Sequence, residues 1–225
     1  MKLVKAAGAL CLATLAVFSS PWALAQDSGW YAGANLGSAS TSIDGAKINS
    51  GLVGNWFNSS TTVKDEHSTG YKVFGGYRLD KNFALEGGYF DLGSFGYTAT
   101  TVPAGTLNGT IKIKGVNLDL VGTMPLNEKF SAFGRVGLNY AHTRDSFSST
   151  GAVLVGNPNP SKSDANYKLG LGLQYALTES LAVRAELERY RVNDALGSRG
   201  NIDLVSAGLI YRFGDKAQAP TPKYK

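Results

Sequence analysis

The sequence predicts an all-β chain, an eight-stranded antiparallel up-and-down transmembrane β-barrel. Three observations predict it. The stretch Val205-Ser206-Ala207-Gly208-Leu209-Ile210-Tyr211-Arg212-Phe213 places an apolar or aromatic residue at every second position, the period of a strand with one apolar face. The same alternation recurs along the chain. The chain also opens with an export signal, in which Lys2 and Lys5 precede an apolar run from Ala6 to Phe18 and the small-x-small site Ala23-Leu24-Ala25.

Residues 1–25 are therefore expected to be a cleaved signal peptide, residues 26–214 the barrel, and residues 215–225 a short periplasmic tail containing Pro and Lys. Cys11 lies in mid signal after Leu10 rather than at a lipoprotein cleavage point, so the mature chain is expected to hold no thiol. Lys2 and Lys5 leave with the signal and no acid does, which takes the net charge from +5 to +3. That weak, dispersed basicity does not suit a nucleic-acid partner. Beyond the signal no apolar run is long enough for a membrane helix. A mean hydropathy of −0.10 is compatible with a barrel, in which only half of each strand faces lipid. The 28 glycines suit tight turns and crowded inward positions.

In chain order, the predicted strands are Trp30 to Gly37, Thr69 to Leu79, Phe83 to Phe90 and about Thr110 to Met124. Phe130 to Asp145, Asn166 to Leu177, Leu181 to Tyr190 and Asn201 to Phe213 complete the set. Short turns at Asp80-Lys81-Asn82, at Pro125 to Lys129 and at Thr178-Glu179-Ser180 alternate with longer connections rich in Ser, Thr, Asn and Gly. The longer connections are Ser38 to Ser68, Asp91 to Asn108, Ser146 to Ala165 and Arg191 to Gly200. Short turns at one rim and long loops at the other are the pattern of outer-membrane barrels, with both termini periplasmic.

Alternation alone fits a lipocalin-like soluble barrel too. Three features favour lipid outside. Trp30, Tyr77, Tyr89, Tyr175, Tyr211 and Phe213 stand near strand ends on the apolar face, as an interfacial aromatic girdle would. Glu86, Arg135, Arg184 and Glu186 stand at mid-strand on the other face, where a polar lumen would let them pair. The apolar face also carries Ala32, Ala34, Gly75, Gly87 and Ala185, too small to fill a soluble core.

Several blocks together resemble the transmembrane domain of the OmpA-like outer-membrane proteins: Trp30 to Gly37, Phe74-Gly75-Gly76-Tyr77, Glu86-Gly87-Gly88-Tyr89 with Leu92-Gly93, Gln174-Tyr175-Ala176-Leu177 leading to Leu181 through Glu186, and Tyr211-Arg212-Phe213-Gly214. The likeness covers nearly all of 26–214. It implies an eight-stranded barrel of the Gram-negative cell envelope that serves envelope integrity and surface interactions, with slow solute leakage in some members. Long members add a peptidoglycan-binding domain after a Pro-rich hinge. Residues 215–225 resemble the start of that hinge, and a barrel alone is expected. The family's lumen gate is a charge cluster, and Glu86 and Arg184 match two of its members. A gate lysine is matched by Val121 and a gate glutamate by Gln174, while the family's inward lysine on the first strand is matched by Asn35.

The expected work is non-enzymatic, combining structural support with surface-loop interactions of an adhesin or partner-binding kind. The alternatives are a narrow, low-conductance, porin-like pore and a lipid-modifying barrel enzyme. A nucleophile, a base and an orienting acid are needed for the last, and the only histidines are His67 and His142. Two separated histidines and no mature cysteine make no transition-metal site, so no metal and no cofactor is expected. Expected partners are outer-membrane lipid, lipopolysaccharide and, through Trp56, Phe57, Phe95, Phe147, Val153 and Leu154 on the loops, a host or surface ligand. A monomer is expected.

Overall fold

The structure is a computed structural model that describes residues 29–41, 59–102, 104–151, 157–193 and 199–213. The proposed signal peptide and tail, the cleavage site, and Trp56, Phe57, Val153 and Leu154 lie outside these residues. The described residues form nine strands: β1 (Gly29–Thr41), β2 (Ser59–Asp65), β3 (His67–Arg78), β4 (Phe83–Val102), β5 (Gly105–Pro125), β6 (Phe130–Gly151), β7 (Ser161–Ala176), β8 (Leu181–Asn193) and β9 (Arg199–Arg212). Every pairing is antiparallel, and β4–β5 closes the order β2-β4-β3-β1-β9-β8-β7-β6-β5 into a ring. β2 and β3 are interrupted only at Glu66, and both pair with β4. They form one stave in two pieces, so nine strands make a barrel of eight staves.

The three short turns share one design. In each, the side chain three residues before the next strand accepts from the backbone N–H of that strand's first residue. Asp80 Oδ1 accepts from the backbone N–H of Asn82 and Phe83, both at 2.7 Å. Asn127 Oδ1 accepts from Lys129 and Phe130. Thr178 Oγ1 accepts from Leu181 at 2.9 Å. These side-chain turns are what Asp, Asn and Thr form when the chain must reverse.

On the barrel wall the polarity is inverted relative to a soluble protein. Outward positions of β5 (Val116, Leu118, Leu120, Met124), β6 (Val136, Leu138, Tyr140), β7 (Tyr167, Leu169, Leu171, Leu173, Tyr175) and β9 (Val205, Leu209, Tyr211) are exposed. Lys72, Glu86, Asp119, Arg135, Lys168, Arg184, Glu186 and Glu188 are buried. Exposed leucines around buried charges fit hydrocarbon as the outer solvent, and this decides against the lipocalin-like alternative. On β5, β6, β7 and β9 the apolar stripe runs for about nine residues, the length a tilted strand needs to cross a bilayer. Among the described residues no helix is long and apolar enough to cross a membrane.

The connections expected as loops are corrected in three places. β4 and β5 continue through most of 91–108, are 20 and 21 residues long, and leave only residues 103 and 104 between them. β6 runs on to Gly151 and β7 starts at Ser161. Inside the first long connection lies β2. The result is a four-stranded ribbon, β2-β4-β5-β6, standing roughly 25 Å beyond the wall. Phe95, expected on a loop surface, is 1% exposed and packs inside.

Candidate functional site

The barrel interior is layered. Nearest the short turns, Tyr31, Phe74, Ala84, Val121, Phe133, Ala182 and Ile210 form an apolar layer. Nearest the ribbon, Ala39, Phe90, Leu92, Phe95, Ile113, Ala141, Tyr190, Val192, Ile202 and Leu204 form a second. Between them lie four cations and four carboxylates, contributed by six staves.

The structure brings the four sequence-predicted lumen charges together. Arg184 Nη1 lies 2.7 Å from Glu86 Oε1 and 3.3 Å from Glu186 Oε1. Arg135 sits at the hub, 2.9 Å from Glu86, 3.0 Å from Asp119, 3.1 Å from Glu186 and 3.4 Å from Glu188. Sequence reading missed the other half of the network. Lys72 Nζ bridges Glu186 (2.8 Å) and Glu188 (2.9 Å), and Lys168 Nζ bridges Asp119 and Glu188, both at 2.7 Å. The signal that could have found these residues is their parity. Lys72, Asp119 and Glu188 stand two residues from Phe74, Val121 and Tyr190, apolar-layer neighbours that face inward, and Lys168 alternates with the outward Tyr167 and Leu169.

Four positive and four negative groups leave the network formally neutral. Each ion is desolvated, so removing one partner strands another in a medium that penalises unpaired charge. The cations also face aromatic rings: Lys72 over Phe74 (4.9 Å), Arg184 over Phe133 (4.5 Å), and Lys168 over Tyr190 (4.9 Å). These contacts tie the charged layer to the greasy layers on either side. Tyr31 donates to Glu86 Oε1 at 2.8 Å, and Tyr190 to Glu188 Oε2 at 3.1 Å. One glycine is required by this packing: at Gly172 a Cβ would enter the Phe133 ring, so a side chain there would push Phe133 off Arg184.

The positions matched to the family's gate are divided. Gln174 Oε1 accepts from Arg184 Nε and Nη2 at 3.3 and 3.1 Å. Val121 lies in the apolar layer, and Asn35 Nδ2 donates to Ser206. At the short-turn mouth a cavity of about 200 Å³ is lined by residues that include Tyr31, Arg78, Thr123, Gln174, Arg184 and Arg212. In the outer layer Phe90, Leu92, Phe95, Ile202 and Leu204 are at most 1% exposed.

A profile of the OmpA-like transmembrane domain matches residues 25–217. The chain belongs to the OmpA-like family. This OmpA-like barrel is 27% identical over 206 residues to outer membrane protein A of Klebsiella pneumoniae, covering 87% of this chain and 54% of that protein. With the Salmonella typhi protein of the same name it shares 28% over 235 residues, covering 98% and 58%. The chain thus spans little more than half the length of these relatives. Among solved structures, Neisserial surface protein A aligns with a TM-score of 0.54 at 13% identity, covering 82% of this chain and 97% of that one. That likeness shows the fold alone. Together these comparisons place the OmpA-like barrel in the outer membrane.

The six aromatic positions of the OmpA-like barrel sort into two bands. Trp30 stacks on Tyr77 at 4.9 Å, Tyr175 on Phe130 at 6.2 Å, and Tyr211 on Phe213 at 5.1 Å, all near the short turns. Tyr89 stands apart at the other end, 6.3 Å from Tyr71. Tyr71, Tyr140 and Tyr167 share its height and were missed in the sequence.

His142 Nδ1 lies 2.8 Å from Ser163 Oγ on the outer wall. The carboxylate nearest in register, Asp91, is two strands away across Lys114, roughly 9–10 Å at strand spacing. His67 opens β3 and is exposed. Among the described residues no group of three or more His, Cys, Asp or Glu could hold a metal ion.

Proposed function

We propose that this outer-membrane barrel works without catalysis, as a monomeric, closed structural element of the envelope that carries a surface-binding ribbon. The observation that carries the reading is the occupied interior. A neutral ion-pair network lies between two apolar layers, and Phe90, Leu92, Phe95, Ile202 and Leu204 at the centre of the outer layer are at most 1% exposed. This arrangement supports a plug more than a conduit. An eight-stranded barrel is just wide enough for its own side chains, and here a permeating ion would have to cross the packed cluster around Phe90 and Tyr190.

The two aromatic bands act as interfacial girdles in this reading. Trp30, Tyr77, Tyr175, Tyr211 and Phe213 hold the periplasmic interface, and Tyr89, with Tyr71, Tyr140 and Tyr167, holds the outer one. What remains for a surface ligand is the ribbon, which exposes Thr98, Thr100, Val102 and Asn108. A rigid, hydrogen-bonded platform loses less conformational entropy on binding than loops would. The test is conductance in planar bilayers containing the purified barrel. No stepwise current above the lipid baseline is expected; stable single-channel openings would replace this reading with the narrow pore.

A further inference from the structure

On every stave the apolar outward stripe ends at a polar residue near the ribbon. Most of the charges beyond that boundary are matched. Arg189 forms a two-point ion pair with Asp203 at 2.6 Å, and Lys162 pairs with Asp164 at 3.0 Å. One sector differs. Lys114 faces His142 across the β5–β6 ladder, and Lys112 faces Arg144 one outward row further on. Lys112, Lys114 and Arg144 are exposed. Among the described residues none of the three cations has an ion-pair partner. Among the described residues lining the sector Asp91 is the one acid; it stands opposite Lys114 in the β4–β5 ladder, and its Oδ1 accepts from the N–H of Gly93 at 2.8 Å.

The backbone shapes this sector into a concavity. Between Asp91 and Ser94 the β4–β5 register slips, and Gly93 turns with φ +78°, a bulge that a Cβ would not tolerate because it would strike Ser68. The resulting hollow has a volume of about 440 Å³ and is lined by Ser68, Asp91, Ser94, Lys112, Lys114, His142 and Arg144, among others. It is large enough for a small headgroup. Its height decides what fits. The Lys114–His142 row lies two residues, roughly 7 Å, above Val116 and Tyr140, the last apolar pair on these strands. Below it run Leu118, Leu120, Val136 and Leu138, all exposed.

We propose that Lys112, Lys114 and Arg144 form a site for the phosphate of an outer-leaflet glycolipid, whose acyl chains lie along Val116, Leu118, Val136 and Leu138. Guanidinium and ammonium groups bind phosphate by charge-assisted hydrogen bonds, while the apolar wall directly beneath offers a surface to the chains of the same molecule. A soluble polyanion would use the cations and leave that wall unused. The sideways aim of the site, on the wall rather than the ribbon tip, favours the lipid. The proposal deepens the lipid partnership of the reading above and depends on the barrel standing in the outer leaflet.

The test is retention of purified bisphosphorylated lipid A by the detergent-solubilised full chain, measured by native mass spectrometry beside a phosphatase-treated lipid with the same acyl chains. Wild type should hold the phosphorylated form in preference. The triple variant Lys112→Gln/Lys114→Gln/Arg144→Gln should weaken it about 100-fold, near a factor of five per cation, whereas Lys81→Gln/Lys129→Gln at the opposite rim should not. Heat-modifiable gel migration, read before lipid is added, reports whether each variant has formed the barrel. Equal retention of the phosphate-free lipid would overturn the site. So would unchanged retention in the folded triple variant, or displacement of the lipid by a soluble sulfated polysaccharide at equal charge concentration.

Discussion

The membrane-embedded wall and the ribbon above it are built from the same strands, yet they follow different rules. In the wall, residue type and direction agree at nearly every position: Leu118 and Leu120 point out, Asn117 and Asp119 point in. In the ribbon that agreement is lost. Thr101 is 2% exposed and its neighbour Val102 is 55% exposed. The difference comes from the solvent. Hydrocarbon cannot hydrogen-bond, so a wall residue of the wrong polarity is costly at once. Above the membrane both faces of a strand can meet water or polar neighbours, and the backbone ladder alone suffices to hold the strand.

The comparison breaks most visibly inside the wall. Arg135→Met should cost about 3–5 kcal/mol, because four carboxylates lose their common partner in a medium of low polarity. Urea unfolding of the barrel in lipid vesicles measures this. A loss below 1 kcal/mol would mean that the lumen is wet enough to screen the acids, and the layered interior would have to be abandoned.

The outward face gives the next largest effect. Leu171 is 62% exposed and lies mid-stripe on β7. Leu171→Arg should destabilise the folded barrel by about 2–4 kcal/mol, the penalty for a cation near the bilayer midplane. The same unfolding assay, repeated in thinner bilayers, should show the penalty shrinking as the residue approaches an interface. An unchanged midpoint would place Leu171 in water.

The two regions also differ in how far the sequence discloses them. In the wall, alternation fixed the staves to within a few residues, and the turns at Asp80, Asn127 and Thr178 announced themselves by residue type. Glu86, Arg135, Arg184 and Glu186 were legible because each interrupts an apolar neighbourhood. Lys72 and Lys168 were not, since each follows a tyrosine in a segment that reads equally well as the polar end of a strand. The ribbon escaped for a deeper reason. Segments such as Thr98-Ala99-Thr100-Thr101 and Ser146-Phe147-Ser148-Ser149 carry no apolar period, and hydroxyl-rich sequence between periodic stretches reads as loop. Threonine nonetheless favours extended backbone, and pairing with a neighbour already held by the barrel completes the strand. Phe95 shows the same limit from the other side: an aromatic in a polar stretch looks like a surface anchor until the bulge at Gly93 is seen to turn it inward.

The smallest expected effect is the sharpest check on the contrast. Thr100 lies in the ribbon, paired with Thr61 of β2 and Thr106 of β5, and its side chain is exposed. It receives the same arginine that is so damaging at Leu171. If the ribbon stands in water, Thr100→Arg removes little packing and strands no charge, so stability should change by no more than about 0.5 kcal/mol, as for other exposed positions free of special contacts. The long side chain can extend into solvent while the β4–β5 hydrogen bonds stay in place. A penalty approaching that at Leu171 would mean that this face of the ribbon is buried against lipid or another chain. The boundary drawn at Asp91, Lys114 and His142 would then have to move outward, and the cationic sector with it.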